Sequence, residues 1–370
     1  MFLEVGCILL IIAAIPYIIY FLGIRFGKKM EFLPPRDKFP EISLIISAYN
    51  EEKIIRERVR NILSGTYPRD RMQLIFINDC SSDMTGEYLK EASEHSGADY
   101  HIISNTDRMG TNRSYNNAIP KARHPIIITS DADVLFKGDA LEVIVNRLCS
   151  DEKIAAVCGD QQPMEGQSHT FGQYEQAYRD YYGRMGEWES ANDSTYNFNG
   201  QLVAFKKGIV SRINDKKGAD DANTAFAAIR TGYRAVYEHR AVVFEDIPDK
   251  AGREYRQKTR RATRLIEATL ANLDLLKLSR PFSRFFYPLR IWMYLVTPTL
   301  FFVGAVLFLI GLWMYSPLSL VVVAGILLAG TLISRKNLIN AFVLNQFFLF
   351  RGLFNLGKDM RIWESTSKKT

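Results

Sequence analysis

The chain is short of the residues that build soft-metal and redox sites. Its 370 residues hold four cysteines (Cys7, Cys80, Cys149, Cys158) and five scattered histidines, none at a metal-ligand spacing. Zinc and thiol-redox chemistry are therefore set aside, and the cysteines read as reduced structural thiols. The soluble part also lacks a basic face with interleaved aromatics, so nucleic acid is not an expected partner. Charge is missing too, but only locally. Val5–Ile24 runs for 20 residues without any, and Ile291–Ser334 for 44, broken only by Tyr315-Ser316-Pro317.

About 20 apolar residues carry a helix across the ~30 Å hydrocarbon layer. The first run is thus one expected crossing, and the second two crossings joined by a tight turn. A signal peptide would begin basic and end at a small-residue cleavage site. Here Glu4 precedes the run and Arg25, Lys28 and Lys29 follow it, so the segment reads as an anchor. Arg25, Lys28, Lys29, Arg280, Arg284, Arg290, Arg335 and Lys336 flank the apolar runs on one side, and Tyr315–Pro317 on the other carries no charge. That asymmetry predicts a multi-pass cell-membrane protein with residues 25–290 in the cytosol. Asn337–Phe350, with 14 uncharged residues, is short for a span and is expected to be interfacial or re-entrant. Net charge is +7, and seven basic residues crowd into Lys250–Arg264, which suits anionic membrane lipids or substrate phosphates as partners. The expected domains are a 1–36 anchor, a 37–250 catalytic domain, a 251–287 amphipathic interfacial region, and 288–370 as a transmembrane hairpin, short segment and cytosolic tail.

Between Phe39 and Val134 short apolar runs alternate with helical stretches. The pattern predicts strands at Ile42–Ser47, Leu74–Asn78, Tyr100–Ser104 and Ile126–Ser130, with helices near Glu51–Ser64, Thr85–Ser96 and Asn112–Lys121. This is an α/β domain on a mainly parallel sheet flanked by helices. Ligands in such sheets bind at the carboxyl ends of the strands. Those ends read Ala48-Tyr49-Asn50-Glu51-Glu52, Asp79-Cys80-Ser81-Ser82-Asp83 and Asp131-Ala132-Asp133. So many carboxylates in one crevice require a cation. Mg2+ or Mn2+ fits, because both bind through one or two carboxylates and complete their shells with substrate phosphates. Asp131 and Asp133 are the expected ligands, with a helix cap and solvated turn as the alternative.

These segments carry a family resemblance. Ile42–Glu51 (ISLIISAYNE), Phe76–Asp83 (FINDCSSD), Gly110–Asn116 and Ser130–Asp133 resemble the donor half of the family 2 inverting glycosyltransferases of GT-A fold. Asn199–Phe205 (NGQLVAF), Ala219-Asp220-Asp221, Arg230–Tyr233 and Gln257–Arg261 continue the likeness, and Trp363-Glu364-Ser365-Thr366 is similar to the membrane synthases of that family. The resemblance implies that Tyr49, Glu51 and Asp79 contact base and ribose of a nucleotide-sugar donor, a UDP-sugar first. Asp131 and Asp133 would hold metal and diphosphate, and Asp221 would be the catalytic base with Asp220 as helper. Asn116, Gly200, Gln257, Arg260 and Arg261 are implied on the substrate side. Two departures stand out. Gly110-Thr111-Asn112 lacks the lysine common there, and Arg261 replaces the tryptophan that lines the acceptor path of processive synthases.

The chemistry can also be read from the residues. A sugar diphosphate must have its leaving group neutralised and an acceptor hydroxyl deprotonated. One carboxylate opposite the leaving group gives inversion, whereas a retaining path needs a second as nucleophile. Asp221 opens the amphipathic helix Asp221–Thr231 and fits the single base, although either aspartate suits a helix start. Glu245-Asp246 is the alternative acidic pair. Ala262, Leu265, Ile266, Thr269, Leu270 and Leu273 fall at helical spacing opposite the arginines, and predict an amphipathic helix on the cytosolic membrane surface. Tyr174, Tyr178, Tyr181, Met185 and Trp188 form a stripe that reads as core packing. The expected function is transfer to a hydroxyl of a lipid-linked or glycan acceptor, in one or a few additions. Alternatives are a processive synthase of the hyaluronan or cellulose type, for which an oligomer or the 337–357 segment would complete the export path, a polyprenyl-phosphate sugar synthase, and a non-catalytic nucleotide-sugar-binding subunit.

Overall fold

The computed structural model describes residues 1–35, 38–94, 96–164, 170–246, 251–333 and 338–358, without the side chains of 170–178, 251, 253–254, 327–333 and 338. The Trp363–Thr366 motif, Lys250, Arg335, Lys336 and the side chains of Tyr174, Tyr178 and Arg253 lie outside the described residues.

Eight strands form one sheet: β1 (Ile42–Ala48), β2 (Met72–Asn78), β3 (Asp99–Ser104), β4 (Ile126–Asp131), β5 (Val134–Phe136), β6 (Ile154–Pro163), β7 (Val203–Lys206) and β8 (Arg234–Glu245). Their order is β3-β2-β1-β4-β7-β6-β8-β5. The first four run parallel, β7 is antiparallel to both its neighbours, and β5 is antiparallel to β8. Both faces are covered, as the near-continuous Ile and Leu of β1 and β2 require. Ile42, Leu44 and Ile46 face a core with Ile55, Val59, Leu141 and Ile144. Ile45, Ile75 and Ile127 face a second core with Tyr115, Phe226 and Ile266.

Register aligns the functional ends. Ala48 pairs with Asn78 and Ser47 with Asp131, so the loops after β1, β2 and β4 leave the sheet side by side. The helix after β1 starts later than its sequence suggests, at Ile55. Residues 50–52 are drawn instead onto the loop after β2. The Asn50 amide donates to Ser81 Oγ, the Glu51 amide to Thr85 Oγ1 at 2.8 Å, and the Glu52 amide to Asp83 Oδ2, with Asn50 itself left-handed at φ 54°.

The helices are α1 (Phe2–Phe26), α2 (Ile55–Leu63), α3 (Thr85–Glu94), α4 (Thr111–Ala118), α5 (Ala140–Leu148), α6 (Thr170–Asn192), α7 (Asp220–Arg230), α8 (Ala251–Ala271), α9 (Phe282–Tyr315, with two π turns), α10 (Pro317–Ile333) and α11 (Leu338–Phe354). Two of them, α1 with 25 residues and α9 with 34, are long and apolar enough to cross a membrane. They lie antiparallel in close contact. A Cβ on Gly311 would stand 2.4 Å from the Leu3 amide nitrogen, and one on Gly6 2.5 Å from that of Phe308, so only glycine permits this approach. Their outer faces leave Ile8, Ile11, Ile18, Val306, Trp313 and Met314 exposed.

Two sequence expectations change here. Arg290, counted among the charges at the membrane edge, is buried. Its Nε donates to Glu189 at 2.6 Å and its Nη1 to the Tyr294 hydroxyl at 2.9 Å. The apolar face of α8, expected on a membrane surface, is covered along part of its length by the chain itself. Ala262, Ile266 and Thr269 are buried within the chain, and α11 covers that helix so closely that a Cβ on Gly352 would meet the Thr263 amide nitrogen at 3.2 Å. Leu270 at the far end of α8, and Leu273 and Leu276 just beyond it, remain exposed. Residues 338–350 belong to the 17-residue α11, whose Asn345 and Gln346 donate to the hydroxyls of Tyr182 and Tyr17. The aromatic stripe on α6 packs as expected where described. Met185 is buried, and the Trp188 ring stands edge-on to Tyr20 and Phe286.

Candidate active site

Two adjoining cavities open at the carboxyl ends of the strands, sharing Thr111 and Asp131 in their walls. The smaller is lined by Tyr49, Glu51, Asp79, Arg108, Asp131 and Asp133. Five residues picked out from the sequence thus meet in one place. Arg108, which the sequence did not single out, stacks its guanidinium 3.6 Å from the Tyr49 ring centroid.

Asp79 lines this cavity but is engaged by the chain. Oδ1 accepts from Asn105 Nδ2 at 2.8 Å, the Met109 amide at 2.9 Å and Ser114 Oγ at 3.2 Å, while Oδ2 accepts from the Gly110 amide at 2.9 Å. A carboxylate offers about four acceptor positions; three contacts crowd Oδ1 and one falls on Oδ2, which keeps a position. Asp79 therefore shapes the 105–110 loop while its side chain still lines the cavity. Asn116 departs from expectation. Its amide group donates to the Ile213 carbonyl at 2.8 Å and accepts from the Ile213 amide at 2.9 Å, which ties α4 to the 210–217 loop away from both cavities.

Beneath Asp131 lies Arg58, fully buried on α2 and unnoticed in the sequence. It donates to Ser130 Oγ at 2.7 Å and lies 3.8 Å from the Phe136 ring centroid. Burial pulls its guanidinium down to about 9, against the opposing pull of Asp131 and Asp133. Asp131 is pushed well above the ordinary carboxylate range, first by burial and then by the negative charges of Asp133, Asp220 and Glu245. Among the described residues no three Asp, Glu, His or Cys side chains converge as a cage for a metal ion.

The larger cavity, of about 290 Å³, has Asp131, Asp220 and Asp221 in its floor. The two aspartates open α7 one residue earlier than the sequence reading placed it. Gly218, left-handed at φ 79°, lets the preceding loop slide under α8, where a Cβ would stand 2.5 Å from that of Ala268. Asp221 Oδ1 accepts from the Ala222 amide at 2.7 Å, and Gly200 approaches the same carboxylate from the opposite wall. Burial, helped by Asp220, raises the Asp221 carboxyl to about 7. Burial also raises Asp220, offset by Arg264 and Arg260.

α8 supplies the cationic wall. Arg264 donates to the Gly218 carbonyl at 2.5 Å and to Asn112 Oδ1 at 3.2 Å. Arg260 faces Asp131 and Asp220, with burial lowering it to about 10. Arg261 and Gln257 turn to Glu245 Oε1, at 2.9 and 3.4 Å, and Arg179 of α6 reaches Glu245 Oε2 at 3.1 Å. Gln161 also donates to Glu245 Oε2. Glu245, the alternative base, is thus a buried anchor for cations. Gln257 reaches the site through Glu245 and does not line the cavity, while Gly200, Arg260 and Arg261 do.

A family model described as glycosyl transferase family 2 matches residues 43–211. Among curated relatives, the probable glycosyltransferase YdaM of Bacillus subtilis is 27% identical over 281 residues, covering 73% of this chain and 65% of that protein. The poly-beta-1,6-N-acetyl-D-glucosamine synthase of Staphylococcus aureus is 24% identical over 228 residues, covering 60% of this chain and 54% of that one. The chain therefore spans less than two thirds of either relative. Among solved structures, the mannosyltransferase PcManGT from Pyrobaculum calidifontis, in complex with GDP-Man and Mn2+, superposes with a TM-score of 0.82 at 23% identity, covering 97% of this chain and 100% of that one. At that identity the likeness is one of fold, and it assigns the sheet and its flanking helices to the GT-A class.

Proposed function

We propose that this chain, which carries a family 2 glycosyl transferase domain, is a membrane-anchored inverting transferase that moves a sugar from a nucleoside diphosphate sugar to a hydroxyl of a lipid-linked or glycan acceptor. One observation carries the proposal: Asp131 and Asp221 face the same cavity, with Arg260 in its wall. The donor occupies the smaller cavity, its base and ribose against Tyr49, Arg108 and Glu51, and UDP-sugars are the first donors to test.

Asp131 and Asp133 would hold a divalent ion, Mg2+ or Mn2+. The fit rests on the crowding of negative charge that lifts Asp131 and on Asp131 and Asp133 both lining the smaller cavity, since these ions bind through one or two carboxylates and complete their shells with substrate phosphates. When bound, the ion neutralises charge on the departing diphosphate. Arg260 adds a fixed positive charge beside it, and Arg58 keeps the β4 end in place from below. Asp221 takes the proton of the acceptor hydroxyl at a carboxylate oxygen. Its lifted pKa is close to that of an effective general base at neutral pH. A single base opposite the leaving group gives inversion.

The 25-residue α1 and 34-residue α9 support an anchor in the cell membrane. Arg25, Lys28, Lys29, Arg280 and Arg284 support a cytosolic catalytic domain. Isolated membranes given a panel of radiolabelled nucleotide sugars test the proposal. One label should enter lipid extract or glycan, and only with a divalent ion. Absence of transfer from every donor would overturn it.

A further inference from the structure

Three chemistries follow one another along the larger cavity. Its floor is acidic, at Asp131, Asp220 and Asp221. Its middle is cationic, with Arg179, Lys258 and Arg261 in the wall. Its far end is apolar and belongs to α11, where Ala341, Leu344, Phe348 and Leu349 face the same space. α11 in turn packs on α8 and α6 and against α9, one of the two helices long enough to span a bilayer.

The cations are built into the wall. Glu245 is 2% exposed, and it fixes Arg261 from α8 at 2.9 Å and Arg179 from α6 at 3.1 Å, so two guanidiniums from different helices are presented together. Lys258 stands one helical turn before Arg261, its ammonium 5.7 Å from the Phe348 ring centroid, at the boundary with the apolar end. Of the metal-binding carboxylates proposed above, Asp133 lines only the smaller cavity, while Asp131 stands at the boundary and lines both. A paired set of guanidiniums between an acidic floor and an apolar lip suits an amphipathic anion, because guanidinium forks match phosphate oxygens and the lip takes hydrocarbon.

We propose that the middle of this cavity is an anion site for a phosphate or diphosphate carried by the acceptor itself, between the hydroxyl that reaches Asp221 and a hydrocarbon chain that leaves along α11. The acceptor class is thus a sugar linked through phosphate to a long-chain lipid. The phosphate is held and is not the nucleophile. Glu245 is a positioning residue, acting through Arg179 and Arg261. The inference rests on the transferase reading above, but its test needs no turnover.

Full-length protein in nanodiscs of neutral lipid is titrated with geranylgeranyl diphosphate, geranylgeraniol and inorganic diphosphate, each with the donor site saturated by UDP and Mn2+. The lipid diphosphate should bind at least about tenfold more tightly than either of the others. Lys258→Ala combined with Arg261→Gln should bring it down to the level of the alcohol, while UDP binding in the same sample reports an intact fold. Equal binding of alcohol and diphosphate would overturn the anion site. Equal binding of inorganic and lipid diphosphate would overturn the lipid acceptor, and binding of the lipid diphosphate only when UDP is left out would assign the cations to the donor. Failure of the transferase reading appears separately, as no sugar transfer from any donor.

Discussion

Arg261 donates to Glu245 at 2.9 Å, across the gap between α8 and the end of β8. In the synthases this chain resembles, a tryptophan at that position lines the acceptor path. Here the place is taken by an ion pair buried on the carboxylate side, which offers no flat apolar face on which a growing glycan could stack. Arg261 and Glu245 are therefore expected to favour release after one or a few additions. Size analysis of the labelled product at low enzyme concentration checks this. A ladder reaching high mass would show that the pair does not limit the product.

The proposed ion site rests on two carboxylates, and Asp133 is the one that faces only the smaller cavity. Asp133→Asn should abolish the Mg2+ or Mn2+ dependence of UDP binding measured by calorimetry, weakening it at least about tenfold, or ~1.4 kcal/mol. Retained metal dependence would move the ion elsewhere.

Asp221 gives a pH dependence with a fixed sign. Only its ionised form accepts a proton, and burial raises the carboxyl from 3.8 to about 7. The logarithm of kcat/KM should therefore climb with unit slope below about pH 7 and level off above it. Stability should move the other way. A carboxyl raised by the fold favours the neutral form, so its contribution is full below pH 3.8 and is lost as pH rises through about 7. A pH-rate profile paired with thermal melts reads both. A flat profile from pH 5 to 8 would remove Asp221 from the base role.

The antiparallel packing of α1 on α9 puts Leu3 beside Gly311 and so sets the start of one helix against the end of the other. With the cytosolic bias of Arg25, Lys28 and Lys29, a cysteine at Ser316 should react with an impermeant maleimide in intact cells, and one at Glu31 should not. The reverse pattern would invert the topology.

Much of this was legible in the sequence because it depends on periodicity and on strand ends. The alternation over residues 42–131 fixed which loops share an edge, and their acidic content marked Tyr49, Glu51, Asp131 and Asp133. Residues whose role depends on a distant partner were less readable. Asn116 belongs to a matching motif, yet both ends of its amide serve the Ile213 backbone, 97 residues away. Glu245 looked like a spare acid until Arg179 and Arg261 converged on it from two helices. Arg290 counted as an edge charge because Glu189, 101 residues earlier, gives no local sign of pairing with it. Arg58 did leave a trace. It sits among Ile55, Val59 and Ile62 on the buried face of a nine-residue helix, where an arginine must have a reason. The amphipathic face of α8 was read correctly as apolar, but only the packing of α11 decides that protein covers it.

The central claim is that Asp221 deprotonates the acceptor while Asp131 and Asp133 serve the donor. Kinetics of Asp221→Asn against the wild-type enzyme test it most directly. The substitution removes one negative charge with almost no change in shape, and Gly200, left-handed at φ 38° with room for a Cβ only 3.3 Å from the carboxylate, should continue to pack against the side chain. The account predicts a nucleotide-sugar affinity nearly unchanged and a turnover lower by roughly 10²–10⁴, the usual contribution of a positioned base. Turnover close to that of the wild-type enzyme, at the same donor affinity, would contradict it.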